Sequence, residues 1–216
     1  MSSRKRLLCI GGSLTNGYTL EGDPLRLARA PYAQVLRDLP QFREWTIDEE
    51  GIDGESSRFL PPRIAACFDE TSYDIVVVLT GTNDCCRVPP DDLLATIDRS
   101  HRKVVELGAL PIVVSVPPLG VLRDDGLDLL VRHSSFRDAV NAGLRQSAQA
   151  SSWPFVDLYG TVGVAVERDG HSFTALHPRF DCGDGLHLSR EGYDILGELV
   201  AQAVASALAQ EHTRQA

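Results

Sequence analysis

Ser13 stands at the end of an apolar run that stops in two glycines, Leu7-Leu8-Cys9-Ile10-Gly11-Gly12-Ser13-Leu14-Thr15. Far along the chain, Asp184 and His187 lie three residues apart in Asp184-Gly185-Leu186-His187-Leu188-Ser189. A serine hydroxyl attacks only when a base takes its proton, and the base works best when an acid orients it. In a tight turn, Asp184 can hold one ring nitrogen of His187 and leave the other for Ser13. Acyl transfer also needs donors aimed at the developing oxyanion. Asn83, in Gly81-Thr82-Asn83-Asp84, offers a side-chain N–H. Gly54, in Gly51-Ile52-Asp53-Gly54-Glu55-Ser56-Ser57, offers a backbone N–H that no side chain can block, and the N–H of Ser13 is a third. Each stretch alone has a plainer reading. Gly-Gly-Ser is a tight turn, Asp-x-x-His a helix approach, Asn83 a turn residue and Gly54 a turn glycine.

What raises the chemical reading is the elements that must hold these stretches. Strand and helix signals alternate, which argues for parallel β/α units. Strands are expected at 6–10, 45–49, 74–79, 110–116 and 155–158. Helices are expected at 32–39, 62–68, 91–107, 135–150 and 189–210, with Pro31 at the start of the first and Ser189 capping the last. Segments 17–30, 119–134 and 160–185 read as loops, the middle one with at most a helical turn. His171, His177, Arg179 and Phe180 fall in the last loop, as solvated residues or as substrate contacts. Five such strands give an α/β protein, a three-layer α/β/α sandwich with a five-stranded parallel sheet in the flavodoxin-like order 2-1-3-4-5. In that order, the first three strands are neighbours. Ser13, the 51–57 loop and the 81–84 loop therefore leave the sheet at one rim.

Bulk properties narrow the partners. At 216 residues, with no linker or repeat, the chain 1–216 is expected to form a single domain. The net charge of −9 leaves no basic face for nucleic acid and no polybasic patch for an anionic membrane. Apolar runs are strand-length, so no stable membrane insertion is expected, and the run 7–10 is too short for a signal-peptide core. Cysteines 9, 67, 85, 86 and 182 are odd in number and lack C-x-x-C spacing; they are expected to be reduced thiols of a cytoplasmic protein.

Together the four stretches, in this order and over nearly the whole chain, resemble the SGNH hydrolases, the GDSL-type esterase and lipase superfamily. Arg63 and Ile64 follow the second stretch at the family's distance, and Gly192-Tyr193 follow the last. The resemblance implies ester hydrolysis without metal or cofactor. It makes Ser13 the nucleophile, His187 the base and Asp184 the orienting acid, with Ser13, Gly54 and Asn83 as the oxyanion hole. One position departs: Gly12 replaces the family's usual aspartate, and a looser turn around Ser13 is expected. The substrate is expected to be a small or medium acyl ester, with activity falling at acid pH as His187 protonates. Other readings are a catalytically degenerate SGNH-like or flavodoxin-like ligand-binding protein and a cysteine hydrolase using Cys182. The α/β-hydrolase elbow Gly-x-Ser-x-Gly does not occur.

Overall fold

The computed structural model describes residues 4–20, 27–121 and 126–215. Its centre is a five-stranded sheet in which every neighbouring pair is parallel. The strands are β1 (Arg6–Gly11), β4 (Thr46–Gly51), β5 (Ile75–Leu79), β6 (Leu110–Val114) and β7 (Phe155–Val156). They lie in the order β4-β1-β5-β6-β7, the flavodoxin-like order expected from sequence. β5, and β1 beyond Arg6, carry no polar side chain because both of their faces are covered, as buried parallel strands require.

Alternation along β1 assigns the two faces. Leu7 and Cys9 pack with α1 (Tyr32–Asp38) and α6 (Arg190–Gln215) through Tyr32, Leu36, Leu196 and Val200. Leu8 and Ile10 point the other way, onto Leu60 and Ile64 of α2 (Leu60–Glu70) and Val104 of α3 (Pro90–Glu106). Further along that face, α3 and α4 (Leu127–Ser151) cover Val113 through Leu93, Ile97, Val140 and Leu144. Helices on both faces make the sandwich three-layered. The Ser189 hydroxyl accepts from the Gly192 N–H at 3.2 Å, so α6 begins at its expected cap.

Register sets the rim. Gly11 is level with Gly51 on one side and with Leu79 on the other. A Cβ on Gly11 would overlap the Leu79 carbonyl oxygen, so only glycine lets β1 and β5 close up there.

Three segments expected as loops carry regular structure. Within 17–30, β2 (Tyr18–Leu20) and β3 (Leu27–Arg29) form an antiparallel ribbon; residues 21–26 lie outside the described set. The segment 160–185 holds the end of α5 (Leu158–Val162) and a hairpin of β8 (Gly163–Arg168) and β9 (His171–Leu176). Its turn is Asp169-Gly170, both left-handed (φ 51° and 78°), the geometry that twisted hairpins favour. The hairpin also explains the third difference. α4 begins at Leu127, not at 135, because Leu127, Leu130 and Val131 pack on Phe173, Ala175 and Val166 of the hairpin. Residues 122–125 of that expected loop lie outside the described set. The fifth strand stops at Val156, since the Asp157 carboxylate accepts from the Gly160 N–H and starts α5.

Candidate active site

β1 delivers its loop first. After Gly11 the Gly12 carbonyl accepts from the N–H groups of Thr15 (3.0 Å) and Asn16 (3.1 Å), which fixes the turn. Ser13, on that turn, is buried and its hydroxyl lies 2.8 Å from His187 Nε2. His187 Nδ1 is 2.7 Å from Asp184 Oδ2. The three side chains therefore form one row, Ser13–His187–Asp184, although the serine and the histidine stand 174 residues apart.

Asp184 is the most heavily bonded member. Its Oδ1 accepts from the backbone N–H of Leu186 (2.9 Å) and of His187 (2.8 Å), while Oδ2 faces the ring. Burial alone would raise its pKa. The hydrogen bonds from the His187 ring and from the two N–H groups outweigh that and hold the carboxyl well below the usual carboxylate range. A carboxylate that stays ionised fixes Nδ1 as a donor and leaves Nε2 to accept from Ser13. The loop itself is closed by an antiparallel bridge between Asp181 and Leu188 and by the Cys182 N–H donating to the His187 carbonyl at 3.1 Å.

The other two loops are tied to each other. Gly54 is left-handed (φ 74°), a conformation that strains any residue with a Cβ. The Asn83 Nδ2 donates to the Glu55 carbonyl at 3.0 Å, which leaves its second N–H for a ligand. Buried Asp84 accepts from the Ser56 hydroxyl (2.6 Å) and from the Ser57 N–H (2.8 Å), joining the β5 loop to the β4 loop. Beneath them Arg63 pairs with buried Glu55 and donates to the Glu50 carbonyl at 2.7 Å. Asp84, Glu55 and Arg63 thus brace the site. The sequence marked Arg63 only by its spacing, and the other two only as neighbours of better candidates.

Gly12 does not repeat the constraint at Gly11. A Cβ there would stand 3.5 Å from Asn83 Nδ2 and 3.8 Å from the Ile52 oxygen, both ordinary contacts, and the backbone is not left-handed. A crevice of about 10 Å³, water-sized, opens beside it, lined by Ser13, Leu14, Glu55, Thr82 and Asn83. A larger cavity of about 500 Å³ lies at the opposite end of the strands, around Tyr73, Leu110 and Trp153, away from these groups.

The remaining candidates have other work. The Cys182 thiol is pushed up to about 11 by burial and by Asp184, so it stays protonated and is a poor nucleophile at neutral pH. Asp181, Cys182 and Asp184 place potential ligand atoms within 4.8 Å of one another. However, Asp181 is taken up by the N–H groups of Gly183 and Gly185, and Asp184 by His187. Arg179 pairs with Glu191 of α6, and His177 Nδ1 accepts from the Arg179 N–H at 3.1 Å. Phe180 packs on the core, and exposed His171 opens β9 beside the hairpin turn. Sequence reasoning missed Tyr18, whose ring stacks on His187 with centroids 4.2 Å apart.

A three-layer α/β fold that lines up serine, imidazole and carboxylate has groups able to carry out acyl transfer. The sequence matches the GDSL-like Lipase/Acylhydrolase family over residues 9–195, and the chain belongs to that family. No curated protein matches it. Among solved structures it is similar to a GDSL-like lipase from Bacteroides thetaiotaomicron, at 23% identity and TM-score 0.71, covering 96% of this chain and 91% of that one. It is similar to a carbohydrate acetylesterase from Sinorhizobium meliloti, at 20% identity and TM-score 0.69, covering 94% and 99%. An aryl esterase from M. smegmatis stands at 22% identity and TM-score 0.69, again covering 94% and 99%. These likenesses show the fold. The family makes the protein an ester hydrolase acting on small-molecule esters. Among the described residues, no helix is long and apolar enough to cross a membrane.

Proposed function

We propose that the chain, acting as one catalytic unit over 1–216, hydrolyses small or medium acyl carboxylic esters through a Ser13–His187–Asp184 triad and an acyl-enzyme. The observation that carries this reading is the row of contacts at 2.8 and 2.7 Å from Ser13 through His187 to Asp184. His187 takes the Ser13 proton as the oxygen adds to the ester carbonyl, then gives it to the departing alcohol. A water, activated by the same imidazole, releases the acid and restores Ser13. Asp184 keeps the ring oriented and stabilises its charged form. The N–H groups of Ser13, Gly54 and the Asn83 side chain take the oxyanion, with the left-handed Gly54 and the Asn83–Glu55 bond supporting their placement.

The five free thiols support an intracellular setting. Hydrolysis of p-nitrophenyl esters of increasing chain length tests both the reaction and the size. Turnover that is highest at acetate or butyrate and lost in Ser13→Ala is expected. Equal rates in wild type and Ser13→Ala would remove Ser13 from the mechanism, and a maximum at long chains would overturn the size assignment.

A further inference from the structure

Tyr18 is held more tightly than a loop residue needs to be. Its N–H donates to the Ser13 carbonyl at 3.0 Å, and its carbonyl accepts from the Tyr193 hydroxyl at 2.7 Å. Beside it, the Thr19 hydroxyl donates to the Leu188 carbonyl at 2.9 Å, one residue past His187. The short ribbon is thereby stitched to both the nucleophile's turn and the histidine's loop. The side chain is fixed as well. One contact of the Tyr18 ring is the imidazole of His187, stacked at 4.2 Å and inclined by 29°. Another is the guanidinium of Arg29, its partner across the ribbon, 5.7 Å from the ring centroid. Arg29 is in turn clamped by both oxygens of Asp53, at 3.1 and 2.7 Å, and Asn16 donates to the same carboxylate at 3.0 Å.

An imidazole bonded at both nitrogens can still tilt about the line joining them. A flat ring against its face removes that freedom. The face of a phenol also attracts positive charge, and a catalytic imidazole becomes positive as it takes a serine proton. Arg29 does not cancel this attraction, because Asp53 neutralises it. We propose that Tyr18 is a positioning residue for His187, fixing the ring in the orientation that faces Ser13 and Asp184 together and stabilising the imidazolium formed during attack. The inference rests on the triad reading for its catalytic part; the contact with the imidazole does not.

The test uses Tyr18→Leu and Tyr18→Phe in the full chain, with Tyr18→Val standing in should the leucine variant fail to fold. Two readouts are taken. The first is p-nitrophenyl acetate turnover. Tyr18→Leu should lower kcat by roughly three- to thirtyfold while KM stays within about twofold, and Tyr18→Phe should restore the rate. The second is the orientation of the His187 ring, read from NMR cross-relaxation between its carbon-bound protons and the side-chain protons of Ser13 and Asp184. These contacts are expected to be the same in wild type and Tyr18→Phe, and to change in Tyr18→Leu. A leucine variant with unchanged kcat, or a phenylalanine variant as impaired as leucine, overturns the proposal. If the wild type shows no Ser13-dependent turnover, the triad reading falls and the NMR arm decides. A His187 ring that changes orientation in Tyr18→Leu supports positioning by Tyr18, and one that does not overturns it.

Discussion

The residues proposed as nucleophile and base are held by different means. Ser13 follows a strand that is buried on both faces and paired on both sides, so its place is set by the register of β1 with β4 and β5. His187 sits in a loop shaped by its own hydrogen bonds: the Asp184 carboxylate, the Asp181–Leu188 bridge and the Cys182–His187 contact. One half is fixed by long-range packing, the other by local polar bonds with Tyr18 laid against it. Loss of the Ser13 hydroxyl should remove chemistry without loosening the fold. Damage to the second half should loosen the base as well.

The largest expected effect lies on the strand side. Ser13→Ala should lower kcat by roughly 10⁴-fold or more, with an unchanged melting curve. On the loop side Asp184→Asn should cost on the order of 10³ to 10⁴ in kcat, because the ring loses both its orientation and the charge that supports it. Local disorder should follow, seen as faster amide exchange at Leu186 and His187. Asn83→Ala removes one proposed oxyanion donor and should cost on the order of 10² in kcat with little change in KM.

Acid acts on the His187 loop and on a second buried site. The folded-state pKa of Asp184 lies below its ordinary value, so its contribution to stability is present above about 3.8 and is lost as the pH falls through and below that value. His101 behaves differently. It is buried in α3, its Nε2 has no hydrogen-bond partner among the described residues, and its ring lies 5.7 Å from that of Trp153. Burial pushes it down to about 4, only partly opposed by Asp98. The unfolded chain therefore binds the proton first. Stability should fall as the pH drops from about 6.5 to about 4, by a total of about 3 kcal/mol. Urea melts across that range should show the loss, and His101→Phe should flatten it. The smallest effect is expected at Gly12. With ordinary room for a Cβ and no left-handed backbone, Gly12→Ala should stabilise by about 0.5 kcal/mol, read as a higher denaturation midpoint.

Parts of the molecule governed by burial and backbone sterics were legible in the sequence. The apolar runs of β1 and β5 end in glycine-bearing turns, and one choice of strand order brings Ser13, Gly54 and Asn83 to one rim. The closeness of Asp184 to His187 was legible too, because three residues of turn hardly let them separate. The hairpin at 163–176 escaped because its strands are half-exposed and carry polar residues. Its signal, Asp169-Gly170 between alternating Val164, Val166 and Phe173, Ala175, was present but local. The first turns of α4 then escaped too, since Leu127, Leu130 and Val131 form an apolar face only against that hairpin. Tyr18 could not be found by pattern at all. A ring stacked on a residue 169 positions away leaves no spacing to read.

The most direct test of the central claim is to treat the native protein with a fluorophosphonate and map the adduct by peptide mass spectrometry. Such reagents trap a serine whose proton is being withdrawn and whose oxyanion is being bound, so one result reports on the whole arrangement. A single phosphonyl group on Ser13, absent from Asp184→Asn under the same exposure, is the predicted outcome. Modification at another residue, or none at Ser13 in a protein that still hydrolyses esters, would contradict it.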